Sequence, residues 1–448
     1  MPRTKSKTKK NNSIPTNSEG RPLEVHLNLN VRGMPQSATI AINDRCNAMR
    51  QSGRRVFKFG LGQSPFPVPR PVIEELQANA HQKDYLPVRG LPALREAVAD
   101  YLRRTHGLPT TPEQVIVGPG SKELMFLLQL VYYGDIVIPT PAWVSYAPQA
   151  HIIGRQVEWI HTRASDGWRL TPEMLNDQCR RDRERPRILV LNYPSNPTGA
   201  TYATDELEAL ADVAREHRIV VLSDEIYGEL QHDGAHVSIA RFYPEGTIVS
   251  TGLSKWCGAG GWRLGTFGFP ASMEWLLDSM ASVASETYTS TSAPIQYAAV
   301  RAFHGGMRLE RYLWNSRRIL SALAAHVVAK LESAGVNVVH PAGAFYVFPD
   351  FCPHREALAK RGIRTSGALC ETILEETGVA MLPGSDFGRP AQELTLRLAY
   401  VDFDGGRALA AVETLPRDSA PGDDFIAAYC TNVLSGMDAL VEWMNKNA

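Results

Sequence analysis

The spacing of apolar positions changes several times along the chain, and each change marks an element. From Val72 onward, short β-branched runs at 114–117, 135–138, 187–192, 219–224, 247–251 and 265–269 read as strands. Stretches of helical character, such as 123–132 and 205–216, lie between several of them. Strand and helix in alternation predict an α/β architecture, a mostly parallel sheet covered on both faces. Ahead of it, 25–30 reads as an extended segment. Ser37 then stands where it can cap a helix whose partial apolar stripe includes Ile40 and Met49.

After about Pro294 the texture shifts to long helices at 295–303 and 308–334. A smaller α+β unit follows, with strands near 336–339, 344–348 and 394–398. The expected organisation is a tail over 1–20, an N-terminal arm with part of a small domain over 21–70, a large domain over 71–305 and a small C-terminal domain over 306–448. In such sheets ligands bind in loops beyond the carboxyl ends of strands.

Composition narrows the partners. With 47 basic and 47 acidic residues in 448, no overall charge draws the protein to nucleic acid or a membrane surface. No apolar run approaches the roughly 20 residues that span a bilayer. Six cysteines without CxxC spacing argue against a zinc site and against a disulfide framework, so no metal is expected and a reducing cytoplasm is the expected compartment. The first 20 residues carry Arg3, Lys5, Lys7, Lys9 and Lys10 and no acid before Glu19. They lack the apolar core of a secretory signal and read as a disordered basic tail.

Chemistry concentrates at the strand ends. Lys255 lies in Thr251-Gly252-Leu253-Ser254-Lys255, and Arg263 follows eight residues later in Gly261-Trp262-Arg263. A lysine there is a candidate Schiff-base former, and the arginine a candidate holder of a dianion. Alone, the two would read equally well as solvated charges flanking a glycine loop. Gly118-Pro119-Gly120-Ser121-Lys122-Glu123 opens a helix, where backbone N–H groups attract phosphate. Asn192-Tyr193-Pro194-Ser195-Asn196-Pro197 makes a stiff loop able to fix the Asn196 amide, or simply a rigid turn. Asp224 in Ser223-Asp224-Glu225-Ile226-Tyr227 is open to several uses: a metal, a ribose hydroxyl, a helix cap or a pyridinium N–H.

In order and spacing, these blocks resemble the fold-type I pyridoxal-phosphate enzymes, specifically the class I/II aminotransferases near the bacterial aspartate aminotransferase branch. Further blocks carry the likeness: Ser37-Ala38-Thr39, Asp84-Tyr85, Pro141-Ala142-Trp143, Gly343-Ala344-Phe345-Tyr346, Pro383-Gly384-Ser385 and Arg397-Leu398. It runs from about Pro35 to Arg397. The resemblance implies pyridoxal 5'-phosphate as cofactor, bound in the large domain, and transfer of an amino group between an amino acid and a 2-oxo acid. Lys255 is implied as the Schiff-base lysine and proton shuttle. Asp224 is implied at the pyridine nitrogen, Tyr227 and Asn196 at the ring oxygen, and Trp143 stacked on the ring. Ser121, Lys122, Ser254 and Arg263 are implied around the phosphate. Tyr85 would reach it from a second subunit, so a homodimer is expected. Arg397 and Gly62 are implied at the substrate α-carboxylate. Lys122 is also the candidate partner for a distal carboxylate, which makes aspartate or glutamate an expected substrate.

The chain departs from the family pattern in places. Gly62-Gln63-Ser64-Pro65-Phe66 replaces an acidic Gly-Glu-Pro-Asp-Phe loop, and Trp256 adds bulk beside the lysine. Those changes leave room for a lyase, decarboxylase or oxidase-like enzyme on the same cofactor. A non-catalytic sensor using its tail on nucleic acid is a further reading, but five cations would give only salt-sensitive, nonspecific affinity.

Overall fold

A computed structural model describes residues 26–417 and 419–447, so the expected tail over 1–20 lies outside the described residues. Residues 26–35 form a small unit of their own. Its described part is a turn, with the Val31 and Arg32 amides both donating to Asn28 O at 3.1 Å, where the sequence suggested an extended segment. Asn28 also accepts from the Asn30 amide through its side chain, the local bonding by which asparagine favours turns.

From residue 36 a second unit begins. Its strands are β1 (Phe57–Lys58), β2 (Val115–Gly118), β3 (Asp135–Thr140), β4 (Val157–His161), β5 (Arg187–Asn192), β6 (Val220–Asp224), β7 (Thr247–Gly252), β8 (Gly265–Gly268), β9 (Tyr346–Val347), β10 (Val379–Ala380), β11 (Leu382–Pro383) and β12 (Leu396–Ala399). Seven of them make one sheet in the order β2-β8-β7-β6-β5-β3-β4. β4, β3, β5, β6 and β7 pair in parallel, and β8 lies antiparallel between β7 and β2. The mostly parallel α/β sheet expected from the sequence is therefore present.

Burial on both faces explains why its strands read as continuous apolar runs. On one face Ile116, Ile188, Leu222 and Ile248 pack with Leu124 and Leu128 of helix Ser121–Val131 and with Leu277 and Met280 of helix Glu274–Glu286. On the other, Val137, Leu189, Leu191 and Val221 meet Leu175, Leu207 and Leu210 of helices Pro172–Arg180 and Thr204–Glu216. Each such side chain contributes about 1.5–3 kcal/mol on burial. Alternation of Ile188 and Leu189 between the two faces is the period-2 signature of a strand.

Beyond the sheet, β11-β12-β9 form a small antiparallel sheet and β1 pairs in parallel with β10. The expected strand at 336–339 is reduced to a single bridge, Asn337 with Asp350, and Pro341 closes the segment soon after. Ser37 precedes helix Ala38–Gln51 but makes no capping bond; its hydroxyl lies 3.1 Å from Thr39 Oγ1 instead. β4 and the closing helix Thr431–Asn447 were not among the expected elements.

The topology brings several chain turns to one end of the sheet. Asn192 and Asp224 are partners at the carboxyl ends of β5 and β6. Gly252 and Gly118 both pair with Gly265 at that same end. A Cβ on Gly265 would sit 2.0 Å from Ser121 N, so only glycine lets helix Ser121–Val131 start against β8.

Candidate active site

A cavity of about 320 Å³ opens at this end, walled by Ser121, Lys122, Trp143, Asn196, Asp224, Tyr227, Ser254, Lys255 and Arg263 among others. Nine of the residues singled out in the sequence thus converge on one space. Lys255, three residues past β7, directs Nζ into it and donates to Gly62 O at 2.7 Å. The Tyr227 and Phe345 rings lie 5.5 and 5.9 Å from that nitrogen. Burial, and then the Arg397 charge, hold the amine down at about 8.

Asp224 ends β6 and is buried. Its Oδ2 accepts from Tyr146 Oη at 2.5 Å and its Oδ1 from Ser250 Oγ at 3.5 Å. Burial pushes its carboxyl up to about 6 against the downward pull of the Tyr146 bond. Asn192, its neighbour in the sheet, donates to Asp224 O at 2.8 Å and accepts from the Asn196 amide at 2.8 Å. One side chain therefore ties the acid to the loop bearing Asn196. Tyr227 Oη shares a 2.7 Å bond with Tyr346 Oη, and burial raises both phenols.

Arg397 lies in β12, 1% exposed, with the rings of Tyr346 and Phe387 at 4.9 and 5.2 Å. Nη1 donates to Asn196 Oδ1 at 3.2 Å, Nη2 donates to Gly60 O, and Nε has no partner among the described residues. Its bonded partners are neutral oxygens, so burial lowers its pKa. A buried guanidinium without a carboxylate partner is suited to take one from a ligand, two-pronged.

The phosphate-like corner is built differently. Gly120, at φ +92°, precedes helix Ser121–Val131, and a Cβ there would sit 2.0 Å from Arg263 Nη2. Guanidinium and helix N-terminus thus converge on one spot, the pairing an anion requires. Lys122 Nζ stands 5.0 Å over the Trp143 ring, its pKa lowered by burial and then by Arg263. Trp143 in turn meets the Tyr146 ring edge-on at 5.2 Å. An aromatic ring carrying an aldehyde, a ring nitrogen and a phosphate fits this donor set: amine, buried acid and anion corner each find one group.

Gly62 meets the site through its carbonyl, the acceptor of the Lys255 amine, and a Cβ there would fall 1.9 Å from Tyr346 Oη. Gly62→Ala is expected to cost about 1–3 kcal/mol and to displace the Tyr346–Tyr227 pair. Melting temperature and kcat/KM should both fall; an unchanged kcat/KM would show that the loop yields instead. Tyr85 stands apart, 90% exposed in the single chain and absent from the cavity wall. Tyr146, Asn192 and Tyr346 were not singled out. Tyr146 lies three residues past Trp143 and Asn192 ends an expected strand, so both were in reach of the sequence. Tyr346 meets the site only through folding.

Residues 54–404 match the family model described as aminotransferase class I and II. Aspartate aminotransferase of Geobacillus stearothermophilus is 34% identical over 86% of this chain and 95% of its own length. Aspartate/prephenate aminotransferase of Thermus thermophilus is likewise 34% identical, over 81% and 91%. The solved aspartate aminotransferase from Thermus thermophilus with maleate superposes with a TM-score of 0.80 at 29% identity, covering 94% of this chain and all of that one. A cavity furnished for such a ring, in a chain matched over most of its length, leads to one family: the protein belongs to the class I and II aminotransferases, which work with pyridoxal phosphate.

Proposed function

We propose that this aminotransferase moves amino groups between a dicarboxylic amino acid, aspartate or glutamate, and a 2-oxo acid. The observation that carries the reading is the buried Arg397 without a carboxylate partner, bonded to Asn196 of the wall that also bears Lys255 and the half-buried cation of Lys122. Bound pyridoxal phosphate supplies the aldehyde and an electron sink. Lys255 moves the proton at the substrate α-carbon. Asp224 holds the proton on the ring nitrogen, and Tyr227 and Asn196 donate at the ring oxygen. Trp143 would cover one ring face, while Ser254, Arg263 and the backbone of Ser121 and Lys122 would hold the phosphate. Arg397 and the Gly62 backbone orient the α-carboxylate. Lys122 meets the distal carboxylate, a role supported by relatives that act on aspartate and by the dicarboxylate maleate in the Thermus structure.

The exposed Tyr85 is assigned to the phosphate of a second copy, which makes the active unit a homodimer. The large domain is placed at 71–305, with the small domain drawn from chain before and after it; pairing of β1 with β10 supports the latter. A cytoplasmic setting accords with six free cysteines. Among the described residues no helix is long and apolar enough to cross a membrane.

The decisive measurement is the stoichiometry of a half-reaction. Holoenzyme given amino acid alone should release one 2-oxo acid per site and stop until an acceptor is added, as ping-pong exchange requires. Repeated turnover without an acceptor would assign the chemistry to a lyase, a decarboxylase or an oxidase-like enzyme instead. Lys122→Ala should raise KM for aspartate about tenfold to a hundredfold while leaving alanine within about twofold, the worth of one charge-assisted bond. Equal effects on both substrates would remove Lys122 from the distal site.

A further inference from the structure

Glu225 directly follows Asp224 but takes no part in the cavity wall, and its carboxylate is fully buried. Oε1 accepts from Ser238 Oγ at 2.5 Å and Ser223 Oγ at 2.7 Å, with Tyr193 Oη at 3.5 Å. Oε2 accepts from His236 Nε2 at 2.8 Å, and His106 Nε2 stands 3.8 Å away. These partners come from four places: its own strand, the residue after Asn192, the segment following the 228–230 turn, and the last residue of helix Pro92–His106. The backbone of Glu225 is held as well. Its N–H donates to Ser250 O at 2.9 Å and its carbonyl accepts from Gly228 N at 2.8 Å.

A buried carboxylate is a poor source of stability, since an apolar cluster of equal volume usually serves as well. A carboxylate hydrogen-bonded from three segments, with His106 of a fourth behind them and placed between Asp224 and Tyr227 in sequence, has a geometric consequence instead. It fixes where the chain leaves β6, and through Tyr193 it fixes where the chain leaves β5 beside Asn192. We propose that Glu225, gripped by His236 with His106 behind it, is a positioning residue that sets Asp224 and Tyr227, and with them Asn196, at their places on the cavity wall. The inference rests on the role proposed above for Asp224.

Other charged groups are close. Tyr101, edge-on to His106, donates to Glu229 at 2.9 Å, and Arg317 pairs with Glu229 at 2.8 Å. Tyr193 lies 5.3 Å from the His236 ring, and Arg241 acts on His106 at longer range. Burial alone would raise the Glu225 carboxyl, but the two imidazoles and Ser238 outweigh it and hold it at about 2. It stays an anion, and a strong acceptor, across the working range.

The test uses holoenzyme of Glu225→Gln and His236→Asn. Both variants keep hydrogen-bonding capacity and approximate size while removing the carboxylate or the imidazole. Melting temperature, cofactor affinity, kcat, KM and the pH midpoint of the bound cofactor's visible absorbance are read together. The expected result is a kcat lowered about tenfold to a hundredfold with KM within about threefold, the signature of misplacement. An absorbance midpoint moved by about 0.5 unit or more should accompany it. A lower melting temperature with native kcat and native midpoint would reduce the cluster to core packing and overturn the proposal. Should either variant fail to fold, Ser238→Ala removes a single bond from Oε1 and is held to the same criteria. Asp224→Asn separates the two claims: if it too leaves kcat and spectrum native, the role of Asp224 falls. If it abolishes activity while the Glu225 variants are silent, only the positioning role falls.

Discussion

Lys255→Ala is expected to lower kcat by about 10⁴-fold or more, because the role proposed for this one side chain includes both the covalent attachment and the proton transfer. Its environment makes a further result predictable. The amine is held at about 8 where an unperturbed lysine has 10.5, through burial and the nearby Arg397. Only the neutral amine attacks an aldehyde, and its fraction grows as pH rises through the pKa. Attachment of cofactor to the cofactor-free protein should therefore accelerate with pH up to about 8 and level off beyond it. A rate still climbing steeply toward 10.5 would mean an amine in ordinary solvent. Borohydride reduction of holoenzyme followed by peptide mapping should place the modification on Lys255; a modification elsewhere would remove it from the chemistry altogether.

The readings that held from sequence share a physical origin. β5, β6 and β7 are buried on both faces, so their sequences are uninterrupted β-branched runs, and Asn192, Asp224 and Lys255 lie at or just past run ends. β4 escaped because it is an edge strand in which Glu158 and His161 break the apolar run. The closing helix has a stripe at Val433, Met437, Leu440 and Met444 and was legible in principle, but it lies beyond the stretch that carries the family likeness. Tyr346 and the Glu225–His236–His106 cluster were illegible for a different reason. Their partners are 119, 11 and 119 positions away respectively, counting Tyr227 to Tyr346, Glu225 to His236 and Glu225 back to His106, and no local pattern announces a contact made only in the folded chain. Tyr85 shows the converse. Its exposure is the expected cost of a residue whose partner is proposed to lie in another copy.

Asp224→Asn is expected to split activity from stability. In the role proposed for Asp224, loss of the carboxylate would leave the ring nitrogen without its anion, and removing one member of a buried charge pair costs about 3–5 kcal/mol, so kcat should fall by about two to four orders of magnitude. The cofactor-free protein should move the other way. Its folded Asp224 titrates at about 6 against an ordinary 3.8, because burial penalises the charged form. A raised pKa favours folding while the group is protonated, below pH 3.8, and that contribution is lost as pH rises through about 6. At neutral pH the ionised carboxylate thus costs the empty site roughly 2–3 kcal/mol. Asparagine carries no such charge, and its carbonyl can still accept from Tyr146 while its amide donates toward Ser250. Cofactor-free Asp224→Asn should melt higher than the native protein at pH 7, and the gap should close as pH falls toward about 4. Equal melting temperatures at pH 7, or a gap that persists in acid, would show that burial of this carboxylate is not the strain the site carries for its chemistry.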